Sequence, residues 1–172
     1  MKSILISIKP RYVAKILNGE KTIEIRKSYP KCDLPIEVYI YCTKDRKDYL
    51  YCDKDYAEYL LLPQDFGRLN GKVIAKFTLN EITMPFLKDI TKASCLTVEE
   101  LREYLQGKPC YAWHIDNLEI FDEPKELSEF KTNKKYWCGK CPYQYGICLP
   151  KCEELKPLTK APQNWCYVEV VK

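Results

Sequence analysis

No run of apolar side chains in this chain of 172 residues approaches the roughly 18 needed to cross a bilayer as a helix. A membrane-spanning helix is therefore not expected. The opening Met1-Lys2-Ser3-Ile4-Leu5-Ile6-Ser7-Ile8-Lys9 is too short and too interrupted for a signal-peptide core, so the chain reads as cytoplasmic. It has no internal repeat, no low-complexity tract and no Gly/Ser linker; the expectation is a single domain over 1–172. Charge of one sign is not in large excess. Lys and Arg number 28 against 24 acidic residues, a net +4, which permits a nucleic-acid partner without demanding one. Histidine is nearly missing: His114 stands alone and reads as structural rather than as a ligand.

Cysteine, by contrast, is abundant, at ten residues. Without a secretory signal the reducing reading wins over disulfides. Four are concentrated: Cys138, Cys141, Cys148 and Cys152, in the spacing C-x2-C-x6-C-x3-C. Four thiolates so spaced can close a tetrahedron around one ion. Structural zinc in a knuckle inserted at 136–152 is expected, with an iron–sulfur cluster or no metal as the alternatives. A closed four-sulfur site leaves no open position, so the metal is not expected to be catalytic. Lys134, Lys135, Lys140 and Lys151 flank the thiolates; they can offset the site's negative charge or touch a phosphate backbone. Cys42, Cys110 and Cys166 sit in apolar runs, where free cysteine behaves as a small hydrophobe. Most of the 14 tyrosines and three tryptophans, Trp113 among them, are expected to be scaffold. Of Tyr39, Tyr41 and Tyr111, most should pack and one is free to stack on a base.

Residues 3–8 alternate, with Ile4, Ile6 and Ile8 on one face and Ser3, Leu5 and Ser7 on the other, which predicts a strand. Pro10 suits the first turn of a helix with Val13, Ile16 and Leu17 inward, ended by Asn18-Gly19. Strands follow at 21–27 and 36–43. The tyrosine-rich stretch 44–71 carries at most a short helix around 55–62, stopped by Pro63. A strand is predicted at 72–82. Thr97 and Glu100 form a capping box for a helix with Val98, Leu101 and Leu105 inward and Gly107 at its end. A long strand is predicted at 110–121, ended by Pro124, and a last one at 165–171. The order implies an α+β fold: a small, mostly antiparallel β-barrel with helices at its rim and an inserted metal module.

The segment Gly19-Glu20-Lys21-Thr22-Ile23-Glu24-Ile25-Arg26 places Thr22, Glu24 and Arg26 on one strand face, with Lys21 at its start. Such a face is either solvated, with a Glu–Arg pair of little energetic weight, or lines a polar cleft. Lys21 can hold a phosphate or polarise a carbonyl while Glu24 acts as base. Arg26 offers a planar fork to a phosphate or a base edge. Lys9, at the mouth of the first helix, is expected to join Lys21, Thr22, Glu24 and Arg26 as a ligand-binding set, with Lys21 and Glu24 as the catalytic candidates. Lys21 is expected to be an exposed charge with no packing role.

The pattern G-x-K-x-x-E-x-R, after a strand and a Pro-started helix, resembles the ASCH domain family of the PUA-like superfamily. Ser7-Ile8-Lys9-Pro10, Tyr111-Ala112-Trp113-His114-Ile115, the segment from Pro124 to Phe130 and that from Ala161 to Val168 carry the same resemblance. It covers nearly the whole chain except about 44–71 and 131–157. The resemblance implies a pseudo-barrel with a cleft beside the first helix and a role with RNA, nucleotides or modified nucleosides. Some small members hydrolyse an acylated cytidine, using a lysine like Lys21, a nearby threonine and a glutamate from a later strand. Glu24 stands where those members have the threonine, so the nucleophile is missing unless Thr22 or Ser7 substitutes. The leading expectation is thus an RNA- or nucleotide-binding protein. A hydrolase of a modified nucleoside or RNA working through the same cleft is the alternative, and a protein-binding adaptor using the zinc module is a third.

Overall fold

The computed structural model describes residues 2–63, 69–132 and 155–170. The proposed metal ligands Cys138, Cys141, Cys148 and Cys152 lie outside the described residues. The six described cysteines, Cys32, Cys42, Cys52, Cys95, Cys110 and Cys166, are free thiols.

The first strand, β1 (Lys2–Ile8), lies inside a seven-stranded sheet. Around it stand β3 (Ile36–Cys42), β6 (Val73–Leu79), β9 (Asp116–Lys125), β10 (Phe130–Thr132), β11 (Lys156–Pro157) and β12 (Trp165–Val170). The order is β11-β10-β12-β1-β3-β6-β9. β1 runs parallel to β3 and antiparallel to β12. Its alternation sorts side chains between two cores rather than between core and water. Ile4, Ile6 and Ile8 join the cluster of Val38, Ile40, Phe77 and Trp113. Leu5 joins Tyr39, Tyr41, Phe130 and Val168. Ser3 and Ser7 are buried as well, as befits a strand covered on both faces.

Helix α1 (Pro10–Leu17) has proline in its first turn and buries Val13, Ala14, Ile16 and Leu17. Gly19, at φ +75°, turns the chain so that the amides of Glu20 and Lys21 both reach the Lys15 carbonyl. The chain then enters β2 (Ile23–Arg26), which belongs to a separate three-stranded sheet, β2-β8-β7, with β8 (Tyr111–His114) in the middle and β7 (Ile82–Thr83) beyond. Ile23 and Ile25 pack with Ala112 under Leu101 and Leu105 of α3 (Val98–Leu105). α3 opens on the predicted capping box, with Thr97 and Glu100 each accepting the other's amide. A short helix, α2 (Thr91–Ser94), precedes it.

Four expectations are corrected. No closed barrel is formed by the described strands; they make two separate larger sheets and a hairpin. The stretch 55–62 is not helical but half of that hairpin, β4 (Tyr49–Asp53) with β5 (Glu58–Leu62). Its turn is fixed by the Asp53 carboxylate, which accepts the amides of Asp55 and Tyr56, a side-chain-to-backbone pattern that favours turns. The long strand predicted at 110–121 is broken at Ile115, and Asn117 takes a left-handed φ of 48°, so β8 and β9 fall in different sheets. Pro124 does not end β9, because β9 is an edge strand, where a missing N–H leaves no ladder bond unmade.

Candidate functional site

Lys21, Glu24 and Arg26 meet directly. Lys21 Nζ lies 3.2 Å from Glu24 Oε2, and Arg26 Nη2 lies 2.9 Å from Glu24 Oε1. Each carboxylate oxygen thus takes one cation. All three are buried, Lys21 to 2% exposure, Glu24 to 8% and Arg26 to 6%. This corrects the expectation that Lys21 is an exposed charge. The cause is the turn at Gly19 and the packing of α2 over the start of β2. The amide of Thr22 reaches the Ala93 carbonyl, and Lys21 Nζ donates to the Ser94 carbonyl at 2.9 Å.

Arg26 is held from the other end of the chain. Its Nη2 donates to the Ser7 carbonyl at 2.8 Å and its Nη1 to Asn164 Oδ1. The Ser7 hydroxyl donates to the Pro162 carbonyl at 2.6 Å. Two rings approach from the helices. The Tyr12 ring of α1 lies 5.6 Å from Lys21 Nζ, and Tyr104 belongs to α3. Burial pushes the Tyr104 phenol up, Arg26 pulls it down and Glu24 raises it. Burial likewise raises Tyr12, lowered by Arg11 and raised by Glu100 and Glu24. Both hydroxyls therefore sit in the field of the same carboxylate.

The donor count is unequal. Two cations share one anion, so the cluster carries a buried net charge of +1. Lys21 spends two of its three N–H donors on Glu24 and Ser94, and no third acceptor meets it among the described residues. Arg26 Nε and, beside it on the same sheet face, Trp113 Nε1 are buried without an acceptor there. Buried donors are normally paired; these two have no acceptor among the described residues.

The other candidates are placed as follows. Thr22 is exposed at the start of β2. Lys9 is exposed where β1 meets α1; its charge acts on Asp45, and no ion pair joins it to Glu24 among the described residues. Trp113 is fully buried, and its ring packs tilted against Trp165, with centroids 5.7 Å apart. His114 Nε2 lies 3.1 Å from Thr83 Oγ1. No group of three or more His, Cys, Asp or Glu among the described residues could hold a metal. A shallow depression of about 380 Å³ between α2 and α3 is lined by Thr91, Lys92, Cys95, Leu96, Thr97 and Glu100, not by the trio. Tyr12, Ser94, Tyr104 and Asn164 were not marked by sequence reasoning. Asn164 falls in a segment that carries the family resemblance, which is the one signal that pointed near it.

The family model for the ASCH domain matches residues 6–131, a range that holds the end of β1, all of α1 and the Gly19–Arg26 segment. The chain is similar to the crystal structure of ASCH from Zymomonas mobilis, at 17% identity and a TM-score of 0.54, over 95% of this chain and 85% of that one. A single-residue variant of that protein superposes with a TM-score of 0.51 at 20% identity, over 74% of this chain and 77% of that one. Likenesses at this identity speak for the fold alone. No curated protein sequence matches the chain significantly. No helix of the described residues is long and apolar enough to cross a membrane. With well over half of its length inside the family match, this protein belongs to the ASCH domain family, a PUA-like family whose domains generally bind RNA.

Proposed function

We propose that this ASCH domain binds RNA or a nucleotide at the Lys21–Glu24–Arg26 cluster, with a phosphate or base carbonyl of the ligand as the acceptor. The observation that carries the reading is the buried net charge of +1, with donors left over on Lys21 and Arg26. Removing charges from water costs several kcal/mol each. A purely structural cluster would be better served by equal numbers of cations and anions. An anionic ligand would offset the excess, and Tyr12 and Tyr104 would flank it.

Binding is favoured over hydrolysis by how the polar groups are already engaged. A general base needs a free lone pair aimed at the proton it takes, but both Glu24 oxygens face cations. A serine nucleophile needs a base beside its hydroxyl, and the Ser7 hydroxyl instead donates to a carbonyl. The test is calorimetry with cytidine monophosphate and a short single-stranded RNA, beside chromatography of an acylated cytidine and of the same RNA after incubation. Binding without product supports the reading. Product formation that is lost in Lys21→Met would replace it with the hydrolase, and absence of binding to either ligand would remove it.

A further inference from the structure

Next to the cluster, the end of the three-stranded sheet exposes tyrosine rings that the core does not need. Tyr29 is 48% exposed and Tyr104 39%. Tyr29 leans on Tyr111 with ring centroids 4.9 Å apart, and Tyr111 stands opposite Arg26 in the β2–β8 ladder. Tyr104 carries the Lys27 ammonium 4.7 Å from its ring centroid. Its phenol also feels Arg26, Glu24 and Cys110, so both rings border the same corner of the sheet.

Charge is segregated to that corner. Arg26 is already taken up by Glu24, but residues 27–32 and 104–111 add Lys27, Lys31 and Lys108 and no carboxylate. The edge strand β9 with the residue after it, 116–126, instead holds Asp116, Glu119, Asp122, Glu123 and Glu126 against a single lysine. Exposed aromatic faces beside a basic track are what a single strand of nucleic acid needs. Its bases stack on rings without regard to sequence, while its phosphates meet cations. A duplex hides its base faces and gains nothing from the rings.

We infer that Tyr29, backed by Tyr111, and Tyr104, with Lys27, form a base-stacking platform along which single-stranded RNA runs into the Lys21–Glu24–Arg26 site. The inference rests on the RNA- or nucleotide-binding reading above and adds to it the form of the ligand. An isolated nucleotide fills the buried site; an oligonucleotide also covers the platform. Tyr29 is half exposed and leans on Tyr111, which packs against the core, so its removal should leave the fold in place.

The experiment measures affinity for cytidine monophosphate, for a single-stranded RNA octamer and for the matching RNA duplex. It compares the wild-type protein, Tyr29→Ala, Tyr29→Trp and Tyr29→Ala/Tyr104→Ala, with melting curves for each. Expected are weaker binding of the duplex than of the single strand and a loss of about 5- to 100-fold in octamer affinity for Tyr29→Ala. The double variant should lose more, and Tyr29→Trp should restore binding. Nucleotide affinity should stay the same in Tyr29→Ala. If the wild type binds both ligands but Tyr29→Ala binds the octamer equally well, the platform is overturned and the binding site stands. Equal losses for nucleotide and octamer also overturn it, since the ring would then only support the site. If the wild type binds neither ligand, the parent reading falls and takes the platform with it.

Discussion

Glu24→Gln removes one negative charge and changes almost nothing in shape. In the native cluster each Glu24 oxygen accepts from a cation, at 3.2 Å from Lys21 and 2.9 Å from Arg26. A glutamine has one oxygen and one amide donor. Whichever way it turns, one cation loses its acceptor and faces an N–H instead. Two positive charges are then left in a site where Lys21 is 2% and Arg26 6% exposed. Leaving a buried charge uncompensated costs about 3–5 kcal/mol. For a domain of this size that corresponds to a fall in melting temperature of about 6–20 °C. Because the groups are shielded from solvent ions, raising the salt should recover little of the loss. Lys21→Met should cost less than Glu24→Gln, since the Glu24–Arg26 pair survives it. The double variant Lys21→Met/Glu24→Gln should then cost less than the two singles added together, because one cation is gone when the carboxylate goes. Urea denaturation of the four proteins, in low and high salt, supplies the cycle. A loss below about 1 kcal/mol for Glu24→Gln, within the range of an exposed pair, would refute the picture of a desolvated, mutually dependent cluster.

Other outcomes follow from the same coordinates. Burial, with a smaller push from Asp45, raises the Cys42 thiol from 9.0 to about 12. Between those values the folded chain keeps a proton that the unfolded chain has released, so stability is complete below about pH 8.5 and falls as pH climbs toward 12. The slope for this group is about 1.4 kcal/mol per pH unit. Denaturation of the wild type and Cys42→Ala between pH 8 and 10, below the range where Tyr167, also pushed up to about 12, contributes fully, should show a shallower fall in the variant; parallel curves would contradict the assignment. We further propose that Cys138, Cys141, Cys148 and Cys152 bind structural zinc. Metal analysis should find one zinc per chain, lost in Cys141→Ser, whereas iron with a visible charge-transfer band, or no metal, would contradict it. The salt dependence of single-stranded RNA binding should be steep, and Lys27→Ala and Lys31→Ala should each flatten the slope by about 0.7. A slope that does not change would remove those lysines from the phosphate track.

Local chemistry was legible where the sequence carries it within a few residues. The capping box at Thr97 and Glu100, the proline start of α1 and the turn at Gly19 stand as read. Lys21, Glu24 and Arg26 do come together, as a buried cluster. What could not be read depends on partners far away in sequence. β1 looks half-solvated because serine alternates with isoleucine, yet Ser7 is buried 155 residues from the Pro162 carbonyl it binds. Lys21 looks exposed because nothing local says that α2 will bring the Ser94 carbonyl to it across 73 residues. The hairpin at 49–62 was missed because its turn rests on one aspartate side chain, and its placement on Asn18. That amide exchanges two 2.9 Å hydrogen bonds with the Tyr59 backbone. The break at Ile115 was missed because the apolar pattern continues through it while the backbone passes from one sheet to the other.

On the proposed reading, the buried cluster receives an acceptor from a nucleotide. Arg26 Nε is its most direct reporter, being buried and without an acceptor among the described residues. The chain has five arginines, Arg11, Arg26, Arg46, Arg68 and Arg102, so their side-chain Nε–H signals form a small set in a proton–nitrogen correlation spectrum. The Arg26 signal is assigned by its loss in Arg26→Lys. Titration with cytidine monophosphate should move that signal downfield and slow its exchange with solvent, with the half-maximal change at the dissociation constant found by calorimetry. A nucleotide that binds while the Arg26 Nε–H signal stays where it was would mean that the ligand goes elsewhere, and would contradict the account.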